Sequence, residues 1–456
     1  MNSEIAAVGE DIQKIRDLDK DHVWHPFLNH NTLDENPLGV IVKADGCTVT
    51  DGEGREYLDA MAGLWCVNIG YGRKEVAEAV YRQLLELPYY PLSQINLPAA
   101  RLADQLGDIL PGDLDRIWFV NSGSEAVDTA IKIARAWGRT QGGRYKIIAR
   151  YQGYHGGTIG GASLTGQTAR RAPFEPLLPG VVHLQAPYFY RSGYSSEFDL
   201  AERLAEDLDA VIRYQGADTV AAFIAEPIIG GGGVIPPPAD YLKKMREVCT
   251  RYGVLMIIDE VITGFGRTGE LFASDLYGVK PDVMTMAKGL SSGYLPIGAT
   301  AVTDEVFQVL NAEGEAGFQQ INTYGGHPAS CAAANKNLEI LLEENLTQNA
   351  RDVGKGLGEA LAHLKDIPCV GDVRGVGLIW GVELIEENGD PLPTEGTAKV
   401  LSYVNEEGVL IGKNAGIADG PSNTLTISPP LILTEEQGAT IVSAIDTGLK
   451  KFQAEG

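Results

Sequence analysis

The sequence predicts an α/β protein: a large central domain around a mostly parallel seven-stranded sheet, with a smaller α+β domain assembled from both chain ends. Two patterns lead there. Between about residues 115 and 303, short β-rich apolar runs alternate with helical stretches, which reads as buried parallel strands joined by helices. Outside that window the strands are shorter and the loops richer in Gly, Pro and Asn. We expect an N-terminal segment with part of the small domain over 1–65, the large domain over 66–330 and the rest of the small domain over 331–456.

Taken in order, Val40–Leu58 reads as a short antiparallel meander whose turn is Asp51-Gly52-Glu53-Gly54. The central runs are Arg116–Asn121, Lys146–Arg150, Val181–Leu184, Val220–Ala225, Val254–Ile258, Val283–Met286 and Gly298–Val302. After Pro236-Pro237-Pro238, the residues Leu242, Met245, Cys249 and Tyr252 recur at helical spacing, and Gly253 supplies the stop. Asn349–Asp366 is expected to be helical, with strands around Gly371–Leu384 and a loop at Gly412–Asn423. A last helix opens with the capping box Thr434-x-x-Gln437 and carries Ile441, Ile445, Leu449 and Phe452 on one face.

The 456 residues carry 37 basic and 61 acidic side chains, a net charge of −24. Such a surface repels phosphate backbones and anionic lipid, so nucleic acid and membranes are not expected partners. The apolar stretch Thr219–Ala225 is too short to span a bilayer, and Met1-Asn2-Ser3-Glu4 opens a polar segment unlike a signal peptide. Five scattered cysteines without a CxxC pair argue against a disulfide framework or zinc site and suit the cytoplasm; no metal is expected.

Three segments carry chemistry. Asn121-Ser-Gly-Ser-Glu-Ala126 follows a strand and opens a helix, where exposed amides and the helix dipole attract phosphate; from this segment alone a plain Ser cap is the stronger reading, since caps are common and phosphate loops rare. Asp259-Glu260 ends an apolar strand, at the edge where open α/β sheets bind ligands, and Asp259, nearer the core, needs a cationic partner. Lys288 lies just past another strand in a Gly/Ser-rich stretch, where burial would leave a neutral amine able to form a Schiff base. Gly264-Phe-Gly266-Arg-Thr-Gly269 matches G-x-G-x-x-G, but it does not sit at the strand-to-helix turn and no long helix follows, which weakens a nicotinamide reading. A phosphate loop, a strand-end aspartate and a strand-end lysine are together the parts pyridoxal phosphate needs.

With these residues in place, the chain resembles the class III (omega-type) aminotransferases, fold-type I pyridoxal 5′-phosphate enzymes, over nearly its whole length from Trp24. The stretches "IIDEVITGFGRTG" and "KPDVMTMAKGLSSGYLPIG" carry the resemblance, with "NSGSEA", "YHG", "AEP", "TYGGHP" and "VRGVG" in order. It implies that Lys288 is the Schiff-base lysine and proton carrier, that Asp259 pairs with the pyridinium nitrogen, and that Val261 and Tyr154 flank the ring. Gly123 and Ser124 are implied to hold the phosphate, Glu226 and His155 to lie beside the cofactor, and Thr323 to reach the phosphate of a neighbouring subunit. A homodimer or dimer of dimers with shared sites follows.

Within that family the chain is similar to omega-amine and taurine or β-alanine:pyruvate aminotransferases. Their ping-pong reaction takes an amine donor and passes its amino group to a keto acid. Trp65 is implied to line the substrate pocket. Ser93-Gln94 stand where aromatic-amine users tend to have bulky rings, which implies a more polar pocket. Residues Gly412–Asp419 contain no arginine for the substrate carboxylate, leaving Lys413 and Arg374 as candidate cations. The alternatives are an aminomutase of the same fold, of the glutamate-1-semialdehyde type, and a nicotinamide-binding or non-catalytic α/β protein.

Overall fold

The computed structural model describes residues 12–35, 37–312, 318–416 and 420–455. The N-terminal reading at Met1–Glu4 and the loop residues Ile417, Ala418 and Asp419 lie outside them. The first three strands are β1 Ile41–Asp45, β2 Thr48–Asp51 and β3 Glu56–Asp59. The central seven are β4 Leu114–Val120, β5 Lys146–Arg150, β6 Val181–Leu184, β7 Val220–Ala225, β8 Leu255–Asp259, β9 Val283–Met286 and β10 Gly298–Thr303. The last five are β11 Val370–Val376, β12 Ile379–Leu384, β13 Val409–Leu410, β14 Gly412–Lys413 and β15 Thr424–Ile427.

β4 to β10 make one sheet in the order β4-β10-β9-β8-β7-β5-β6. From β9 to β6 every pairing is parallel, and β10 runs against both of its neighbours. Every residue of β7, β8 and β10 is buried, so both faces must be covered. The alternation of side chains decides how. Ile147, Ala149, Ala222, Ile224, Leu255 and Ile257 face the helix Gly123–Thr140, whose Val127, Ala130, Ile131 and Ala134 fill the gap. Ile148, Phe223, Met256 and Ile258 point the other way, onto Leu204 and Leu208 of the helix Glu197–Gln215 and Leu242 and Met245 of the helix Tyr241–Tyr252. Gly253 closes that last helix in the left-handed conformation, φ 59°.

β1 to β3 form the expected meander, with the Asp51 carboxylate accepting the Glu53 and Arg55 amides across the turn. β13, from the other end of the chain, pairs in parallel with β3. A third sheet, β11-β12-β15-β14, is backed by the helix Leu346–Ala362, which in turn packs on Glu435–Glu455. The capping box is reciprocal: Thr434 N donates to Gln437 Oε1 at 3.1 Å, and Gln437 N donates to Thr434 Oγ1 at 3.2 Å. The structure corrects the expected loop at Gly412–Asn423. Gly412-Lys413 is a strand because its backbone finds Thr426 and Leu425 of β15, a long-range pairing no local pattern announces. Among the described residues no helix is long and apolar enough to cross a membrane, and no His/Cys/Asp/Glu group could hold a metal ion.

Candidate active site

The carboxyl edge of the central sheet collects the chemistry. β8 extends one residue further than its apolar run, which makes Asp259 its last residue and pairs it with Thr285 on β9. Cross-strand partners share a face, so the Thr285 hydroxyl donates to Asp259 Oδ1 at 3.0 Å. The Val261 amide donates to the same oxygen at 3.2 Å, and His155 Nδ1 meets Oδ2 at 2.8 Å. Asp259 and His155 are 4% and 2% exposed, and His155 Nε2 is buried without a hydrogen-bond partner. The partner that Asp259 finds within the chain is therefore a histidine, held from behind where its amide donates to Thr165 Oγ1.

Glu226 follows β7 and is almost fully buried. Its oxygens accept the amides of Tyr154 at 2.9 Å and Gly230 at 3.0 Å. Burial pushes its carboxyl above the usual range; His155 opposes that shift and the Asp259 charge adds to it. Tyr154 thus hangs from Glu226 by its backbone, and its ring lies under the Arg170 guanidinium at 5.0 Å.

Lys288 sits two residues past β9 with φ 43°, a left-handed conformation that a side chain adopts only under constraint. Burial pulls its ammonium below the ordinary lysine range. The neighbouring Cys66, Asp259 and Glu226 oppose that, and the buried Arg267 guanidinium reinforces it. Arg267 itself is sealed in, donating to the Leu378 and Pro429 carbonyls and to Asn68 Oδ1. A Cβ on Gly289 would lie 2.5 Å from Asn68 Nδ2, so this assembly packs against the residue after Lys288.

The helix Gly123–Thr140 starts at Ser122, whose Oγ accepts the Glu125 amide at 3.2 Å, while Glu125 Oε2 accepts the Asn121 amide at 2.7 Å. The amides of Gly123 and Ser124 have no acceptor among the described residues. A Cβ on Gly123 would lie 3.0 Å from Val261 Cγ1 and 3.6 Å from Ala287, and one on Gly156 would lie 2.7 Å from Ser124 Oγ. Those close approaches bring together Gly123-Ser124, Val261, Lys288 and the Tyr154–Gly157 loop, from the ends of four strands. An anionic, flat, aldehyde-bearing cofactor fits the edge: free amides at a helix start, a carboxylate oriented by His155, and a lysine biased to the amine.

The remaining candidates lie apart. Trp65 is buried against Met61, Ile228, Val234 and Ile379 in a turn where Ala62, Gly63 and Trp65 all have positive φ. The Asp59 carboxylate clamps that turn, accepting the Met61 amide at 2.8 Å and the Gly63 amide at 2.6 Å. Ser93, Gln94 and Thr323 are exposed in this single chain, with the Tyr89 hydroxyl donating to the Thr323 carbonyl at 2.8 Å. Every nitrogen of the Arg374 guanidinium is occupied, by the Val234 and Gly233 carbonyls and by Asp372 and Glu383. Lys413 is exposed on β14. Thr285, Arg267 and Asn68 were missed from sequence. The β8–β9 register would have exposed Thr285, and Arg267 stands inside the G-x-G-x-x-G match Gly264–Gly269.

The profile of the family Aminotransferase class-III matches residues 30–449. A putrescine–pyruvate aminotransferase of Pseudomonas aeruginosa is 41% identical, over 96% of this chain and 95% of its own. A taurine–pyruvate aminotransferase of Bilophila wadsworthia is 40% identical, over 94% and 95%. An omega transaminase from Pseudomonas jessenii, solved in complex with PMP, superposes with a TM-score of 0.92 at 35% identity, covering 97% of this chain and 98% of that one. The chain belongs to the class-III aminotransferases, enzymes that work with pyridoxal 5′-phosphate.

Proposed function

We propose that the protein moves the amino group of a small primary amine or ω-amino acid to pyruvate, with the cofactor at the carboxyl edge of the central sheet. Its likeness to putrescine– and taurine–pyruvate aminotransferases supports the substrate pair. The observation that carries the site is the convergence of the His155–Asp259–Thr285 network with Lys288 and the free amides of Gly123-Ser124.

When bound, the cofactor supplies an electron sink for charge leaving the substrate carbon. Asp259, oriented by His155 and Thr285, would keep the pyridine nitrogen protonated. Lys288 Nζ would hold the aldehyde and carry the proton removed from the substrate carbon. Gly123 and Ser124 would hold the phosphate by backbone amides and Val261 and Tyr154 would flank the ring, with Tyr154 positioned by Glu226. Trp65 walls the substrate pocket, and Ser93-Gln94 with Thr323 serve the site of a second copy. The dimer this requires is supported by exposed Tyr89, Leu92, Ile95, Ile321 and Tyr324 around Thr323, where Tyr89 and Tyr324 rings meet at 5.9 Å. Sheet membership supports a central part holding β4 to β10 and a smaller part drawing strands from both ends, although the helix Pro328–Glu343 runs across the 330/331 limit, and five free thiols suit a reducing cytoplasm.

The test is a panel of taurine, β-alanine, putrescine and 1-phenylethylamine against pyruvate and 2-oxoglutarate. Small ω-amines with pyruvate should be fastest. Equal rates on 1-phenylethylamine would sink the polar-pocket reading. An amine that bleaches the cofactor without pyruvate restoring it would exclude pyruvate transfer.

A further inference from the structure

In a chain with 37 basic and 61 acidic residues, an arginine left without a carboxylate needs a reason. Most arginines around the site have one or are sealed away. Arg171 is 3.5 Å from Glu175, Arg191 donates to Glu383 at 2.7 Å, and Arg374 is held by Asp372 and Glu383. Arg150 and Arg267 are both fully buried and donate to backbone carbonyls. Arg170 differs. Among the described residues no carboxylate pairs with it, and its Nε is buried without an acceptor.

Its setting is specific. The guanidinium lies 5.0 Å from the centre of the Tyr154 ring and 4.1 Å from that of Phe27. The side chain also hydrogen-bonds that of Tyr154, which leaves the rest of its N–H edge, the unpartnered Nε included, for a planar acceptor. Tyr154 fixes the position of that edge, because its backbone is tied to Glu226 and its loop packs through Gly156 on Ser124. Partial burial weakens solvent screening, so an anion arriving there gains more than it would at an open surface.

We propose that Arg170 binds the acid group of the substrate, a carboxylate or sulfonate, by the edge of its guanidinium, and so takes the place of the arginine absent from Gly412–Asp419. This rests on reading the site as that of an aminotransferase. Two substrates bear such a group, the keto acid acceptor and the acid end of an ω-amino acid donor, and the experiment separates them.

Holoenzyme with Arg170→Gln is compared with wild type in single half-reactions followed by cofactor absorbance. β-Alanine is set against putrescine, and pyruvate against propanal, so each acid-bearing substrate has a neutral counterpart. Binding of propionate, an acid with nothing to react, is measured by calorimetry. Arg170→Gln should raise the ratio of half-saturation for acid-bearing over neutral partner by about tenfold or more and abolish propionate binding. Arg170→Lys should restore part of both, as a point charge lacking the fork. A shift confined to pyruvate assigns the group to the acceptor, and one confined to β-alanine assigns it to the donor; either supports the proposal. An unchanged ratio, or propionate bound as by wild type, overturns it. A wild-type protein that converts no amine would defeat the functional reading instead, and propionate would still judge Arg170.

Discussion

Lys288 combines strain with a depressed ammonium, and each makes the other useful: the left-handed backbone aims the side chain, and burial leaves it able to act as an amine. Replacing it with Ala should reduce amino transfer to background and abolish any borohydride-trapped cofactor adduct, read by mass spectrometry. Asp259→Asn should lower kcat by about a hundredfold or more, since the paired charge supports a developing negative centre; a twofold loss would contradict the role. Asp59 acts at one remove. Asp59→Ala releases the amides of Met61 and Gly63, so the Trp65 turn should relax and KM for the amine should rise more than kcat falls, with Asp59→Asn recovering part. Lys288 and Asp259 were legible in sequence because apolar strands announce where they end. The link from His155 to Asp259 was not, since it joins a loop to a strand end 104 residues away through a sheet order that no linear pattern states.

At the level of elements, β5, β6, β7 and β9 match their apolar runs to the residue, while β8 and β10 each run one residue further, to Asp259 and Thr303, where cross-strand pairing continues past the apolar pattern. β14 escaped because two residues become a strand only by pairing. β6 carries a pH-sensitive group. Burial, with Arg171 alongside, pulls His183 down to about 4 from an ordinary 6.5. Between those values the unfolded chain binds a proton that the folded chain refuses, so stability is full above 6.5 and is lost as pH falls toward 4. Urea midpoints measured over that window should decline, and His183→Gln should flatten the decline. The helix bearing Ser124 ends tightly. A Cβ on Gly138 would lie 2.2 Å from the Arg144 carbonyl oxygen, so Gly138→Ala should cost about 1–3 kcal/mol in the same assay, through displaced backbone.

For the whole molecule, the net charge of −24 requires attraction for an anionic cofactor and an acid-bearing substrate to be local, and on the proposed reading the Gly123-Ser124 amides and Arg170 would supply it. The apolar surface around Ile95, itself 92% exposed, is the proposed contact with a second copy. If a second copy completes each site, as proposed, Ile95→Glu should shift sedimentation from an oligomer toward a single chain, with activity falling in parallel. The pairing of β3 with β13 also bears on the order of events at the ribosome. Leu58 meets Val409, so the meander made first waits for a strand made almost last, while all seven strands of the central sheet have already emerged. Synthesis therefore finishes the catalytic sheet before the edge of β3 is covered, and that open strand is where a stalled chain is most exposed to wrong partners.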